Sequence, residues 1–114
     1  MIARIQPKQL NGTIRAVPSK SQAHRMLICA ALCGTPVRIH IGATSEDIEA
    51  TIRVLRAFGA AIEWDGCTAL VRDGNWAARC MADCGESGST LRFLLPVAGA
   101  LGIDAAFVLR GRLG

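Results

Sequence analysis

The sequence predicts a domain of the α/β class, and three observations indicate it. Apolar residues recur at helical period in some stretches and in alternation in others, and the two patterns take turns along the chain. Hydrophobic residues make up 51% of the chain but aromatic residues only 4%, so we expect an aliphatic core. A Ser-x-Ser pair opens an apolar helical run at residues 19–21, and a second pair does so at residues 87–89. This echo indicates one structural unit followed by part of a second copy.

The first 18 residues are predicted to be extended. Asn11-Gly12 lies between two short runs there and is typical of a hairpin turn. A first helix is predicted to begin at Ser19, because Ser19 and Gln22 have the spacing of a capping box and apolar residues follow at helical period.

The middle of the chain predicts a strand, a helix and a hairpin. Alternating apolar residues from 37 to 41 indicate a half-buried strand. Ser45 precedes a helical run whose first turn is acidic, and Gly59 is a natural C-cap for that helix. Residues 61–64 and 68–72 are then predicted to form a hairpin around an Asp-Gly turn.

The last third of the chain is less regular at its start. Residues 73–84 follow no clear period. A third helix is predicted from Ser87 to Leu101, with a kink at Pro96. A final strand is predicted from residue 105 to residue 109.

The charge and hydropathy of the chain limit its partners. Thirteen Lys and Arg residues against nine Asp and Glu residues give a net charge of +4, which favours anionic partners. No basic run interleaved with aromatic residues is present, which argues against nucleic acid. No apolar run reaches the length of about 18 residues typical of a membrane span, and the start has no signal-peptide core. We therefore expect a cytoplasmic protein without a membrane partner.

The five cysteines include two C-x3-C pairs, Cys29 with Cys33 and Cys80 with Cys84. Structural zinc sites use similar spacings, but in loops with turn residues nearby. Cys29 and Cys33 lie instead in an apolar helical run, where cysteine acts as a small hydrophobic residue. We expect reduced, structural thiols and no metal.

The start of the first predicted helix carries a candidate anion site. Ser21 and Arg25 are four residues apart and share a helix face, and Lys20 lies on the first turn. Together with the unpaired backbone N–H groups of a helix start, these side chains suit a phosphate or a carboxylate. The alternative is a capped helix with solvated cations.

A second candidate site lies at the start of the third helix. Gly88 has no side chain, so an anion can approach the backbone closely there, and Ser89 adds a hydroxyl. A plain glycine-rich turn is the alternative. Near the end of the chain, Arg110 and Arg112 flank Gly111, where they could close over a carboxylate. The alternative is a solvated basic turn.

Four motifs in chain order resemble the 5-enolpyruvylshikimate-3-phosphate (EPSP) synthase family. Residues 19–25, SKSQAHR, resemble its S-K-S-x-x-x-R signature, and residues 85–92, GESGSTLR, resemble its G-N-A-G-T-x-x-R segment. Residues 45–47 match its S-x-D helix start, and residues 111–113 resemble the beginning of its G-R-L-P segment. These motifs cover most of the chain, which is too short to be the whole enzyme.

The resemblance implies a fold and an activity. The family has an inside-out α/β barrel fold, in which two like-shaped domains are each built from βαβαββ units. It transfers the enolpyruvyl group of phosphoenolpyruvate to the 5-hydroxyl of shikimate 3-phosphate, a step of aromatic amino-acid biosynthesis, and is the target of the herbicide glyphosate. No metal or organic cofactor takes part. Residues 19–114 would then be part of the N-terminal domain, and residues 1–18 a strand segment that packs with the absent second domain.

The same resemblance implies roles for individual residues. Lys20 would contact both substrates and stabilise charge, and Ser21 and Arg25 would hold shikimate 3-phosphate. The phosphoenolpyruvate side would comprise Gly88, Ser89 and Arg112.

Three residues depart from the family pattern. His24 and Glu86 stand where the family commonly has Asn, and Gly114 stands where Pro is usual. Glu86 places a negative charge beside an expected anion site.

Two other functions remain open from the sequence. The sister enzyme that acts on UDP-N-acetylglucosamine shares the fold and phosphoenolpyruvate, but it typically has Lys-Asn where this chain has Lys20-Ser21. A phosphate-binding module without catalysis is the other alternative. Because no convincing proton-transfer group is present, we expect the 114-residue chain alone to be inactive.

Overall fold

The structure is a computed structural model that describes all residues from Met1 to Gly114. Three helices, five strands and a final 3-10 turn, η1, follow one another in an α/β order, which confirms the predicted fold class. In chain order they are α1 (Lys20–Leu32), β1 (Val37–His40), α2 (Glu46–Phe58), β2 (Ala61–Trp64), β3 (Thr68–Arg72), β4 (Arg79–Gly85), α3 (Gly88–Leu101), β5 (Asp104–Leu109) and η1 (Gly111–Leu113).

Each of the three helices is preceded by a serine N-cap. The hydroxyl oxygens of Ser19, Ser45 and Ser87 each accept a hydrogen bond from a backbone N–H three residues later, at 3.3–3.4 Å. A serine at this position satisfies one of the backbone donors that a helix start leaves unpaired. The helix starts predicted from sequence are therefore confirmed, as is Gly59 as the left-handed C-cap of α2.

The strands form two small sheets. In the first, β3 lies between β1 and β2 and pairs antiparallel with both. The predicted hairpin between β2 and β3 is confirmed, and the Asp65 carboxylate holds its turn by accepting from the N–H groups of Cys67 and Thr68 at 2.8 and 2.6 Å. In the second, β4 and β5 pair parallel and α3 connects them. This βαβ arrangement agrees with the predicted start of a second repeat.

Helix α2 lies at the centre of the core and packs against both of the other helices and β4. Its buried face includes Ile48, Ile52, Leu55 and Phe58, each at most 1% exposed. Phe58 meets Phe107 of β5 edge-on, with ring centroids 6.3 Å apart. The remaining buried core side chains are aliphatic apart from Cys84, as the composition predicts.

Two sequence-based predictions are wrong. Residues 1–18 form neither a strand nor a helix, so the hairpin predicted at Asn11-Gly12 is absent.

The second wrong prediction is that Cys29 and Cys33 act as small hydrophobic residues of the first helix. Both are exposed, whereas Leu27 on α1 is fully buried. Successive helical residues are about 100° apart, so Cys29 points away from the side that Leu27 buries. Of the five cysteines, all unpaired, only Cys84 packs inside the core.

None of the helices has the length and apolarity needed to span a membrane. No group of three or more His, Cys, Asp and Glu side chains is arranged so that it could hold a metal ion.

Candidate anion-binding cleft

An open cleft of about 790 Å³ lies where the N-termini of all three helices meet. Lys20 contributes the start of α1, Ser45 and Asp47 the start of α2, and Glu86 and Ser87 the turn before α3. The lining is mostly polar and consists of Lys20, Thr44, Ser45, Glu46, Asp47, Glu49, Ala50, Arg53, Cys84, Gly85, Glu86 and Ser87. A helix N-terminus directs unpaired N–H groups and a partial positive charge outward, so three of them together favour an anion.

Lys20 forms an ion pair across the cleft. Its Nζ lies 2.7 Å from Oδ2 of Asp47 on α2, and the two side chains are 58% and 29% exposed. The hydrogen bond from Lys20 holds the pKa of the Asp47 carboxyl below its ordinary value, and the same bond raises the pKa of Lys20. Both groups are therefore charged at neutral pH, and the ammonium is held at the edge of the cleft.

Carboxylates outnumber cations on this wall of the cleft. Four carboxylates line it, those of Glu46, Asp47, Glu49 and Glu86. The lining has only two cations, Lys20 and Arg53. Two of the carboxylates are already engaged, Asp47 by Lys20 and Glu49 by Thr44 Oγ1 at 2.6 Å and the Trp64 indole N–H at 2.8 Å. The Lys20 ammonium offsets the charge of Asp47, whereas the bonds to Glu49 come from neutral donors, lower its pKa and keep it ionised.

The second cation of the cleft, Arg53, was not singled out from the sequence. Its Nε donates to the backbone oxygen of Asp83 at 3.0 Å, and its side chain remains 47% exposed. Arg53 lies seven residues after Glu46 on α2, so only the helix geometry brings it to the cleft.

The structure does not bring Ser21 and Arg25 into the lining of the cleft. Both are exposed on α1, and the Arg25 guanidinium lies 5.5 Å from the centroid of the Phe93 ring on α3. Such a cation–π contact orients the guanidinium and leaves its N–H groups free for a ligand. Of the three residues in the first predicted anion site, only Lys20 lies in the cleft itself.

The second predicted site, at the start of α3, lies against η1. A Cβ added to Gly88 would lie 3.7 Å from a methyl group of Leu113, so η1 packs on the start of α3. Arg112, the residue before Leu113, is exposed. Glu86 turns toward η1, and its carboxylate occupies the space beside Gly111 where a Cβ would lie.

The two arginines near the end of the chain have different partners in the structure. The Arg110 guanidinium donates to Oδ2 of Asp83 at 2.9 Å, so β4 holds it. Arg112 makes no such bond. Arg110 and Arg112 therefore differ in their surroundings, and their closing over one carboxylate stays a prediction.

Beneath the cleft lie four buried polar side chains, one or two from each helix. His24 Nδ1 lies 2.6 Å from Thr51 Oγ1, Thr51 Oγ1 lies 2.8 Å from Thr90 Oγ1, and Thr90 Oγ1 lies 2.7 Å from Ser87 Oγ. None is more than 3% exposed. A threonine at position 51, among the apolar residues of the α2 face, was the available sequence signal for this group.

Known proteins match nearly the whole chain. The family model described as EPSP synthase (3-phosphoshikimate 1-carboxyvinyltransferase) matches residues 5–113. A 3-phosphoshikimate 1-carboxyvinyltransferase of Clostridium kluyveri is 42% identical over 112 residues, which are 96% of this chain and 26% of that protein. The protein of the same name from Clostridioides difficile is 38% identical, over 97% of this chain and 28% of its own length. The chain thus spans about a quarter of the length of these relatives, and it belongs to the EPSP synthase family.

Proposed function

We propose that this chain is part of an enzyme that transfers the enolpyruvyl group of phosphoenolpyruvate to the 5-hydroxyl of shikimate 3-phosphate. The convergence of three helix N-termini with Lys20 in one cleft carries the proposal, because both substrates are polyanions. The relatives bear the name of this activity, and the family match covers both motifs that line the cleft.

Lys20 is the residue assigned to both substrates. Its ammonium lies at the edge of the cleft, where it stabilises the charge that develops on the departing phosphate. Ser21 and Arg25, exposed on the same helix, hold shikimate 3-phosphate. We assign phosphoenolpyruvate to Gly88, Ser89 and Arg112.

A second wall, outside this chain, completes the site. Carboxylates outnumber cations in the cleft, so two polyanions need further cations opposite them. Residues 1–18 supply the contact with that second domain: they expose Ile2, Ile5, Leu10, Ile14 and Val17, each at least 87% accessible. Apolar side chains in a row of this kind are stabilised when another surface covers them. We propose that the protein acts in the cytoplasm.

The UDP-N-acetylglucosamine enzyme is the weaker alternative, because the relatives with 38–42% identity carry the shikimate name.

A measurement of turnover distinguishes an enzyme from a phosphate-binding module that has no catalytic activity. We expect the full-length protein to release inorganic phosphate only when phosphoenolpyruvate and shikimate 3-phosphate are both present, and the isolated 114-residue chain to release none. A phosphate-release assay with each substrate omitted in turn measures this. No turnover by the full-length protein would rule out the proposed activity.

Gly88→Ala tests the assignment of the phosphoenolpyruvate side. The three atoms nearest to an added methyl group belong to side chains, Arg92 Nη2 at 3.4 Å and the Leu113 methyls at 3.7–3.8 Å, so we expect the variant to fold. In the full-length protein it should weaken glyphosate more than phosphoenolpyruvate, because glyphosate is the longer of the two anions. One methyl group of discrimination is worth about 1–3 kcal/mol. Shikimate 3-phosphate binding should stay nearly unchanged.

The inhibition constant for glyphosate and the Michaelis constants for both substrates measure this difference. An equal loss for all three ligands would assign Gly88 to the structure of the turn rather than to the site.

A further inference from the structure

The aromatic ring of Phe93, on α3, contacts two consecutive residues of α1. Its centroid lies 6.0 Å from that of the His24 imidazole, with an angle of 52° between the ring planes, and 5.5 Å from the central carbon of the Arg25 guanidinium. His24 is 1% exposed, and its Nδ1 lies 2.6 Å from Thr51 Oγ1 on α2. The imidazole is therefore fixed by α2, and it provides a buried surface against which the Phe93 ring packs.

The Arg25 guanidinium lies over the Phe93 ring and forms none of the ion pairs of this chain. The face of an aromatic ring is negative, so it attracts a cation that lies above it. Five other arginines donate instead to a carboxylate or a backbone oxygen, namely Arg53, Arg56, Arg72, Arg79 and Arg110. Their N–H groups are partly occupied by the protein, whereas an arginine held by its face keeps all five N–H groups for an anion.

The contact with Phe93 also restricts where the guanidinium lies. An exposed arginine without a partner samples many rotamers, and it loses that freedom when it binds a ligand, which lowers the affinity. The ring removes part of this cost, because the guanidinium is held before a ligand arrives. Phe93 is half-buried and precedes Leu94, which is fully buried, so α3 fixes its position. The ring is thus a rigid support between the core and an exposed cation.

We propose that Phe93 is a positioning residue of the shikimate 3-phosphate site: its ring packs on His24 and holds the Arg25 guanidinium by its face, so that the N–H groups are oriented before the ligand binds. The inference rests on the proposed function, which assigns Arg25 to shikimate 3-phosphate. It also gives His24 a role, because an imidazole offers Phe93 a ring surface that the Asn common in the family lacks. A residue that only fills space between α1 and α3 would not depend on Arg25.

The first test of this role needs no ligand. Aromatic rings displace the NMR signals of protons near their faces, so removal of the Phe93 ring should change the Arg25 Nε–H signal. ¹H–¹⁵N spectra of arginine-labelled full-length protein show this signal, which is identified by its absence from Arg25→Lys. We expect it to move in Phe93→Leu toward the position of solvated arginines. It should stay in place in Leu95→Ala, which shortens an exposed apolar side chain of the same helix. An Arg25 signal that is the same in Phe93→Leu and in the wild type would overturn the proposal.

The second test separates positioning from packing without a change in side-chain size. Fluorine atoms withdraw electrons from the face of an aromatic ring and leave its shape nearly unchanged, so they weaken a cation–π contact without creating a cavity. Rings with one, two and three fluorine atoms replace that of Phe93 in the full-length protein, and isothermal titration calorimetry measures the affinity for shikimate 3-phosphate. We expect the affinity to fall step by step, by about two- to fivefold in total. In an Arg25→Ala background the same series should have no effect, because the cation that the ring holds is gone.

Phe107 is the matched control for the fluorinated ring, because its ring meets that of Phe58 edge-on and holds no cation. The same fluorine series at Phe107 should leave the affinity unchanged. An equal loss in both Arg25 backgrounds would show that Phe93 acts through packing and would overturn the proposal, as would a series without effect while Arg25 is present. A protein that shows the NMR shift and binds no shikimate 3-phosphate contradicts the proposed function alone, so the two failures are distinguishable.

Discussion

Lys20→Met in the full-length protein is expected to weaken shikimate 3-phosphate binding by about 10- to 150-fold. The substitution keeps an unbranched side chain of similar length and removes the ammonium at the edge of the cleft. A charge-assisted hydrogen bond to an anion contributes about 1.5–3 kcal/mol, which corresponds to that range of affinity. Isothermal titration calorimetry with shikimate 3-phosphate measures the effect directly. Arg25→Ala should act in the same direction, because its exposed guanidinium is assigned to the same ligand.

Arg79→Met provides the control for loss of an exposed cation. Arg79 also forms an ion pair at 2.7 Å, with Asp104, but at the start of the β4–β5 sheet, and both side chains are at least 67% exposed. Exposed pairs of this kind contribute little to stability, so this variant should bind like the wild type. Unchanged affinity in a folded Lys20→Met protein would remove Lys20 from the site.

Gly59→Ala is expected to destabilise the fold by about 3 kcal/mol or more. Gly59 ends α2 with φ of 114°, and its N–H bonds to the carbonyl oxygens of Arg56 and Leu55. An L-residue in this conformation is strained by about 1–3 kcal/mol. An added Cβ would also overlap the carbonyl oxygen of Asn75 and lie 2.7 Å from its carbon. Because those are backbone atoms, the loop after β3 would have to move away from the end of α2.

Gly66→Ala measures the backbone strain of an alanine at positive φ without the steric overlap that occurs at Gly59. Gly66 has a similar φ of 90° in the β2–β3 turn, but nothing lies within 4 Å of its Cβ position. This variant should lose about 1 kcal/mol, from backbone strain alone. Urea denaturation of both variants gives the two free energies of unfolding. Equal losses would mean that the loop at Asn75 moves freely and does not pack against the helix.

Local chemistry makes most of the elements predictable from the sequence. A serine cap needs only the N–H three residues ahead, and an Asp-Gly turn needs only its own backbone, so Ser45, Ser87 and Asp65 act within one turn of the chain. The same holds for Gly59, whose permissive backbone ends α2 wherever that helix is placed. The cap serines and the glycine of the α3 start also identify two helix N-termini as anion-binding candidates from their local pattern alone.

Contacts between distant residues explain what the sequence did not predict. Strand β4 has no local pattern because its pairing with β5 forms only after α3 has returned the chain. The local pattern also predicted a hairpin in residues 1–18, where the fold provides no pairing partner.

The cleft shows most clearly which features follow from local sequence and which depend on contacts between distant residues. Its helix starts and Lys20 were evident in the sequence, but Lys20 and Asp47 are 27 residues apart, and so are His24 and Thr51. Packing of α1 and α3 on α2 makes Asp47 the partner of Lys20 and buries His24 with a single hydrogen bond. The sequence identifies the side chains that can bind an anion. The packing of the three helices determines which of these side chains contact one another, because burial and ion pairing depend on the distances between helices.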